Sequence, residues 1–179
     1  IEWLRQKGIG AAVAREGREA KEGLIAIKIE DRKAAMAELN CETDFVARTD
    51  EFAQLAQDLA DKILREGEAV LEREAVANLV LELSGRVGEK MSFRRAARLE
   101  APAGFIASYL HSNRKIGVLV AVEAPSKTEE LSQWAKNVAM QIAASRPNFV
   151  SRESIPKELL ERQKEFFLPE VASKPPQIQ

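Results

Sequence analysis

The 179-residue sequence is 45% hydrophobic and 31% charged, the balance of an ordinary globular protein with one generous domain or two small ones. Its 27 basic and 28 acidic side chains leave a net charge of −1 and are finely mixed, so no basic field is present to displace counterions from nucleic acid. No apolar run approaches the roughly 18 residues of a membrane span, and Ile1-Glu2-Trp3-Leu4-Arg5 lacks the basic-then-apolar order of a signal peptide.

In chain order, Glu2 to Gly8 predicts the last turns of a helix stopped by glycine, and Ala11 to Glu22 an alanine-rich, charged connector with helical character. Leu24 to Ile29 is β-rich, Asp31-Arg32-Lys33 is a turn, and Ala34 to Asn40 returns as a second strand. After Asp50, residues Phe52, Leu55, Leu59 and Ile63 recur at helical spacing. Leu71, Val76, Leu79, Val80 and Leu83 predict another helix, ending around Gly85. Met91, Phe93, Ala97 and Leu99 then share one parity, predicting a half-buried strand on whose apolar face Arg95 is a misfit.

At Gly104 the pattern restarts. Phe105 to Leu110 and Ile116 to Glu123 predict strands around a turn at His111 to Lys115. A helix follows Pro125-Ser126, with Leu131, Trp134, Val138 and Ile142 on one face, until Arg146-Pro147. Ile155-Pro156 opens one more, carrying Leu159, Leu160, Phe166 and Phe167. Gly23-Leu24-Ile25-Ala26 aligns with Gly104-Phe105-Ile106-Ala107, and Arg32-Lys33 with Arg114-Lys115, so the chain contains a repeat. The expected fold class is α+β: two related subdomains, each a small antiparallel sheet with helices packed on one face. The expected boundaries are the end of a helical domain and linker over 1–22, a first subdomain over 23–100, an incomplete second over 101–150, and the start of a helical hairpin over 151–179. The second unit lacks a counterpart of Met91 to Leu99, and a two-stranded sheet is marginal alone. The pattern therefore predicts a natural chain longer at both ends.

Catalytic signatures are missing from the sequence. It has no G-x-G-x-x-G, P-loop or G-x-S-x-G. One cysteine, Cys41, and one histidine, His111, form neither a disulfide nor a zinc site, and a Cys–His nucleophilic pair lacks a third, orienting group. Cys41 reads as a small buried side chain. The expectation is a binding protein rather than an enzyme, with no cofactor or metal, no nucleic-acid or membrane partner, and a reducing, cytoplasmic setting. The clusters Arg94-Arg95 with Arg98 and Arg114-Lys115 read as solvated faces and turns.

Between the second strand and the first long helix lies Asn40-Cys41-Glu42-Thr43-Asp44-Phe45-Val46-Ala47-Arg48. Residues alone favour Phe45 as a core side chain at a helix start, with Asp44 as its N-cap. The nonapeptide, however, resembles the signature of the elongation factor Ts family. Other stretches are similar in the same order: Trp3-Leu4-Arg5 with Gly8, Val87-Gly88-Glu89 before Arg94-Arg95, Tyr109 with His111 and Arg114, Ile116 to Val120, Ala143 to Pro147, and Lys174-Pro175. Two hairpin units resemble the longer form of that family.

The resemblance implies a guanine-nucleotide exchange factor for elongation factor Tu, binding it alone or in a larger assembly with it. Thr43, Asp44, Phe45 and Val46 would then disturb the partner's magnesium and phosphate site, with Phe45 as the wedge. Val87, Gly88 and His111 would be further contacts on the same face. The rival expectation is a scaffold in a translation or replication assembly that binds without exchanging nucleotide.

Overall fold

The computed structural model describes residues 17–172 together with Gly10 and Arg15, without side chains at 70, 71 and 170–172. The helix expected around Trp3 and Leu4 and the proline-rich stretch 173–179 lie outside the described residues. So does part of the expected connector; its portion at 17–21 is irregular backbone rather than helix. The chain divides into compact units at Ala144/Ser145.

In the first unit, β1 (Glu22–Glu30) and β2 (Lys33–Cys41) form a hairpin closed by Asp31 and Arg32, and β3 (Met91–Glu100) pairs with β2. All pairs are antiparallel, in the order β1-β2-β3. Between β2 and β3 run a one-turn helix α1 (Asp44–Ala47), α2 (Asp50–Glu66), a 3-10 turn (Glu68–Glu72) and α3 (Glu74–Val87). Leu24, Ala26, Ala35, Ala37, Leu39 and Cys41 point to one face of this sheet. They meet Phe52, Leu59 and Ile63 of α2 and Val76, Val80 and Leu83 of α3 in the main core. The alternation of β1 and β2 and the 3.6-residue spacing of α2 thus close on each other.

The other face of the sheet is covered as well. β4 (Gly104–Leu110) and β5 (Gly117–Glu123) form a two-stranded antiparallel sheet. Ile106 and Leu119 from it pack with Ala34, Leu99 and Ala101. Its turn docks on β1, where the amide of Ile25 donates to the Arg114 carbonyl at 2.7 Å and Lys115 pairs with Glu22 at 2.5 Å. Phe105, Ala107, Val120 and Val122 face away from the first sheet, toward Leu131 and Ala135 of α4 (Glu129–Ser145). The order of layers is helices, sheet, sheet, helix.

Three details differ from the sequence reading. A β-bulge between Glu38 and Leu39 sets Arg95 opposite Glu38 but Phe93 opposite Leu39, leaving Arg94 as the extra residue. The parity of β3 therefore reverses partway: Met91, Phe93 and Ala96 join the helix-side core, whereas Leu99 joins the inter-sheet cluster. Arg95 is no misfit: it shares the face of Ala97 and Leu99, but its side chain is largely exposed and pairs with the Glu38 carboxylate. Second, α3 passes through Gly85 and ends at Val87, with Gly88 left-handed at φ 84° as its cap. A glycine is tolerated inside a helix at about 1 kcal/mol, whereas the left-handed cap position selects for it. Third, Ala135, Ala139 and Ala143 are the buried stripe of α4, flanked by Leu131, Val138 and Ile142, while Trp134 is 55% exposed.

The repeated glycines have one physical cause. A Cβ on Gly23 would lie 2.2 Å from the Leu39 carbonyl oxygen, and one on Gly104 1.8 Å from that of Val122. Each hairpin thus brings a neighbouring strand's backbone against the same repeat position, which only a residue without a side chain accommodates. Gly104→Ala is expected to lower stability by about 1–3 kcal/mol, as overpacking does. Urea unfolding at unchanged m-value measures it, and a midpoint equal to the parent's would contradict the close approach.

In the second unit a 3-10 turn (Arg152–Ser154) precedes α5 (Lys157–Ala172), where the expected helix after Ile155-Pro156 lies. Phe166 and Phe167 meet edge to face at 5.2 Å and are 75% and 47% exposed. Among the described residues no helix is long and apolar enough to cross a membrane.

Candidate functional site

The stretch 43–66 becomes two helices because it contains two caps. Thr43 accepts the Val46 amide at 3.4 Å, and Thr49 accepts the Phe52 amide at 3.3 Å. Each threonine is followed by an aspartate, Asp44 or Asp50, in the first turn, where a carboxylate complements the helix dipole. The Thr49 hydroxyl also donates to the Val46 carbonyl at 2.8 Å, closing α1 before α2 begins. The cap of α1 is thus Thr43 and not Asp44, whose carboxylate instead pairs with Arg48 at 2.8 Å.

This one-turn helix points Val46 and Phe45 in different directions. Val46 is buried and joins the main core with Leu24 and Phe52. Phe45 lies about 100° around the helix from it, and so is excluded from that core. It is 80% exposed. The alternative of Phe45 as a core residue is therefore overturned: a single turn buries one of the two side chains, and Val46 is the one that fits.

Cys41, which ends β2, is buried, with its thiol donating to the Thr43 carbonyl at 3.1 Å. Burial, helped by the negative charges of Glu89 and Glu22, pushes that thiol up to about 12, so it stays protonated and inert at neutral pH.

Two acids, Glu42 within the motif and Glu89 just beyond the cap of α3, cross-link the motif to the connection between α3 and β3. Glu89 Oε2 accepts the amides of Glu42 at 3.2 Å and Thr43 at 3.0 Å, and its Oε1 accepts the Thr43 hydroxyl at 2.5 Å. In return Glu42 Oε1 accepts the Lys90 amide at 2.6 Å. That bond foremost, against some desolvation and with Arg18 assisting, holds the Glu42 carboxyl below its ordinary value. Val87 and Gly88 immediately precede this clasp, and Val87 is 37% exposed. Val87 is the last helical residue and Gly88 its cap, rather than members of a free loop.

The hairpin turn of the second sheet faces the motif across a groove of about 690 Å³. Asp44, Arg48 and Asp50 line one side and Asn113, Arg114 and Lys115 the other. His111 opens that turn. It is partly buried, accepts the Arg114 amide on its carbonyl at 2.7 Å, and its Nδ1 lies 2.7 Å from the Tyr109 hydroxyl.

Glu42 and Glu89 were not singled out as site residues in the sequence. Their roles depend on the pairing of β2 with β3, which brings residues 47 positions apart together. The adjacency of Glu89 to Val87-Gly88 and of Glu42 to Thr43 was the one signal available.

The family model described as elongation factor TS matches residues 42–179. Elongation factor Ts of Prosthecochloris aestuarii is 41% identical over 181 residues, covering 93% of this chain and 62% of the relative. That of Chlorobaculum parvum is 41% identical over 182 residues, with the same coverage. That of Clostridium botulinum is 38% identical over 180 residues, covering 93% of this chain and 59% of the relative. The chain therefore spans about three-fifths of the length of these curated relatives.

Proposed function

The chain belongs to the elongation factor Ts family of translation elongation factors, and from that premise we propose that it promotes the release of GDP from elongation factor Tu. The observation that carries this reading is Phe45: a phenylalanine 80% exposed on a capped turn that is braced on both sides. An exposed aromatic held rigidly is the kind of group that anchors a protein interface. Thr43, Asp44, Phe45 and Val46 form the wedge, with Phe45 as the inserted side chain and Val46 as its root in the core. Val87, Gly88 and His111 are the further contacts, and the setting is the cytoplasm, where elongation occurs.

The mechanism needs no acid, base or cofactor. A protein that binds nucleotide-free elongation factor Tu better than its GDP form weakens GDP binding by the factor by which GDP weakens its own. Inserting Phe45 beside the magnesium and phosphate site is such a differential contact, because the same space is occupied when the nucleotide is held. Burying the ring is worth about 1.5–3 kcal/mol, or roughly one to two decades of GDP affinity. The remaining coupling comes from the further contacts.

Mixing the chain with elongation factor Tu loaded with fluorescent GDP is expected to accelerate loss of the label in a concentration-dependent way. A complex that forms while the release rate stays at its spontaneous value would replace exchange by scaffolding.

A further inference from the structure

We propose that Glu89 is a positioning residue for Phe45, presetting the exposed ring and fastening it to the Val87-Gly88 corner as one two-point contact. The proposal rests on the reading of Phe45 as the wedge.

The strand ladder ends where Cys41 faces Met91. Beyond it the two chains are joined by carboxylates: Glu89 takes three donors from Glu42 and Thr43, and Glu42 takes the Lys90 amide. Hydrogen bonds to a charged acceptor are about twice as strong as neutral ones. The Thr43 hydroxyl spends its proton on Glu89 at 2.5 Å, which turns its lone pairs toward the Val46 amide at 3.4 Å. The carboxylate therefore orients the hydroxyl that caps α1. Glu89 is anchored in turn, because its carbonyl accepts the hydroxyl of buried Ser84 at 2.5 Å, and Gly88 donates to the Ser84 carbonyl at 2.9 Å. A continuous series of bonds thus runs from the body of α3 through Glu89 and Thr43 to the turn that carries Phe45.

That turn needs such help. Four helical residues are far too few to be stable alone, since nucleation outweighs the bonds formed. A ring that must be ordered at the moment of docking loses affinity to that ordering, whereas a preset one does not. Glu89→Gln keeps the volume and removes the charge. It also sets an amide donor against one of the N–H or O–H donors now accepted.

The test is a double-mutant cycle on GDP release from elongation factor Tu, using the parent chain, Phe45→Ala, Glu89→Gln and the double variant. Glu89→Gln is expected to slow release about tenfold, as the loss of one charged hydrogen bond would. The double variant is expected to be no slower than Phe45→Ala alone, because Glu89 acts through the ring. Amide exchange at Thr43 and Val46 should quicken in Glu89→Gln while that of Leu59 and Ile63 does not. If Glu89→Gln fails to fold, Thr43→Val replaces it, removing the hydroxyl that links the Glu89 carboxylate to the Val46 amide with little change in volume.

Additive losses in the double variant, or parental release by Glu89→Gln beside a slowed Phe45→Ala, overturn the positioning role. Parental release by Phe45→Ala is a different failure. It removes the wedge reading on which the proposal stands.

Discussion

Phe45→Ala is expected to slow the release of GDP from elongation factor Tu by about tenfold to a hundredfold, the equivalent of burying one phenylalanine. It should weaken overall binding to the partner less, because the ring is engaged most fully when the nucleotide is absent. The side chain is 80% exposed and makes no contribution to the core, so stability should stay within about 0.5 kcal/mol of the parent. Stopped-flow release of labelled GDP, with calorimetric titration and urea unfolding in parallel, separates the three quantities. Unchanged release removes Phe45 from the site. An equal loss in release and in binding would make it an ordinary contact with no preference for the nucleotide-free form.

The elements were legible because each follows from a local pattern. Leu24 to Ile29 and Ala34 to Asn40 have strand composition, and Phe52, Leu59 and Ile63 recur at helical spacing. The repeated glycine marked both hairpins, and the structure supplies the reason in the carbonyls of Leu39 and Val122. What escaped the sequence depends on other parts of the chain. A bulge at Arg94 is invisible in a parity count, because one inserted residue exchanges the faces of everything after it. The alanine stripe of α4 escaped because small residues carry little hydrophobic signal yet permit the closest approach of helix to sheet, leaving the larger Trp134 outside.

The candidate site divides in the same way. The order of its residues could be read directly, but the caps could not: Asp44 was the expected N-cap of α1, yet Thr43 holds that position, because threonine and aspartate both suit it. Whether Phe45 was buried could not be read, since a phenylalanine at a helix start fits either side of the surface. Burial of Val46 decides it, and that depends on where α1 sits over Leu24 and Phe52. The clasp of Glu42 and Glu89 depends on β2 and β3 ending side by side.

Phe52→Ala is expected to do the opposite of Phe45→Ala, lowering stability by about 3–5 kcal/mol. Phe52 is fully buried, the largest such side chain in the first unit's core, where α2 lies over Leu39 of the sheet. Losing its ring removes transfer energy and leaves a cavity that the sheet, fixed by its ladder, cannot collapse to fill. Against a typical total of about 5–15 kcal/mol, the substitution takes a large share of what holds the unit together. The comparison with Phe45 is controlled, since both variants remove the same atoms from segments seven residues apart. Effects on the unfolded chain then largely cancel, and the difference in urea midpoints reports the two environments. Similar midpoints for the two variants would contradict the burial of one ring and the exposure of the other.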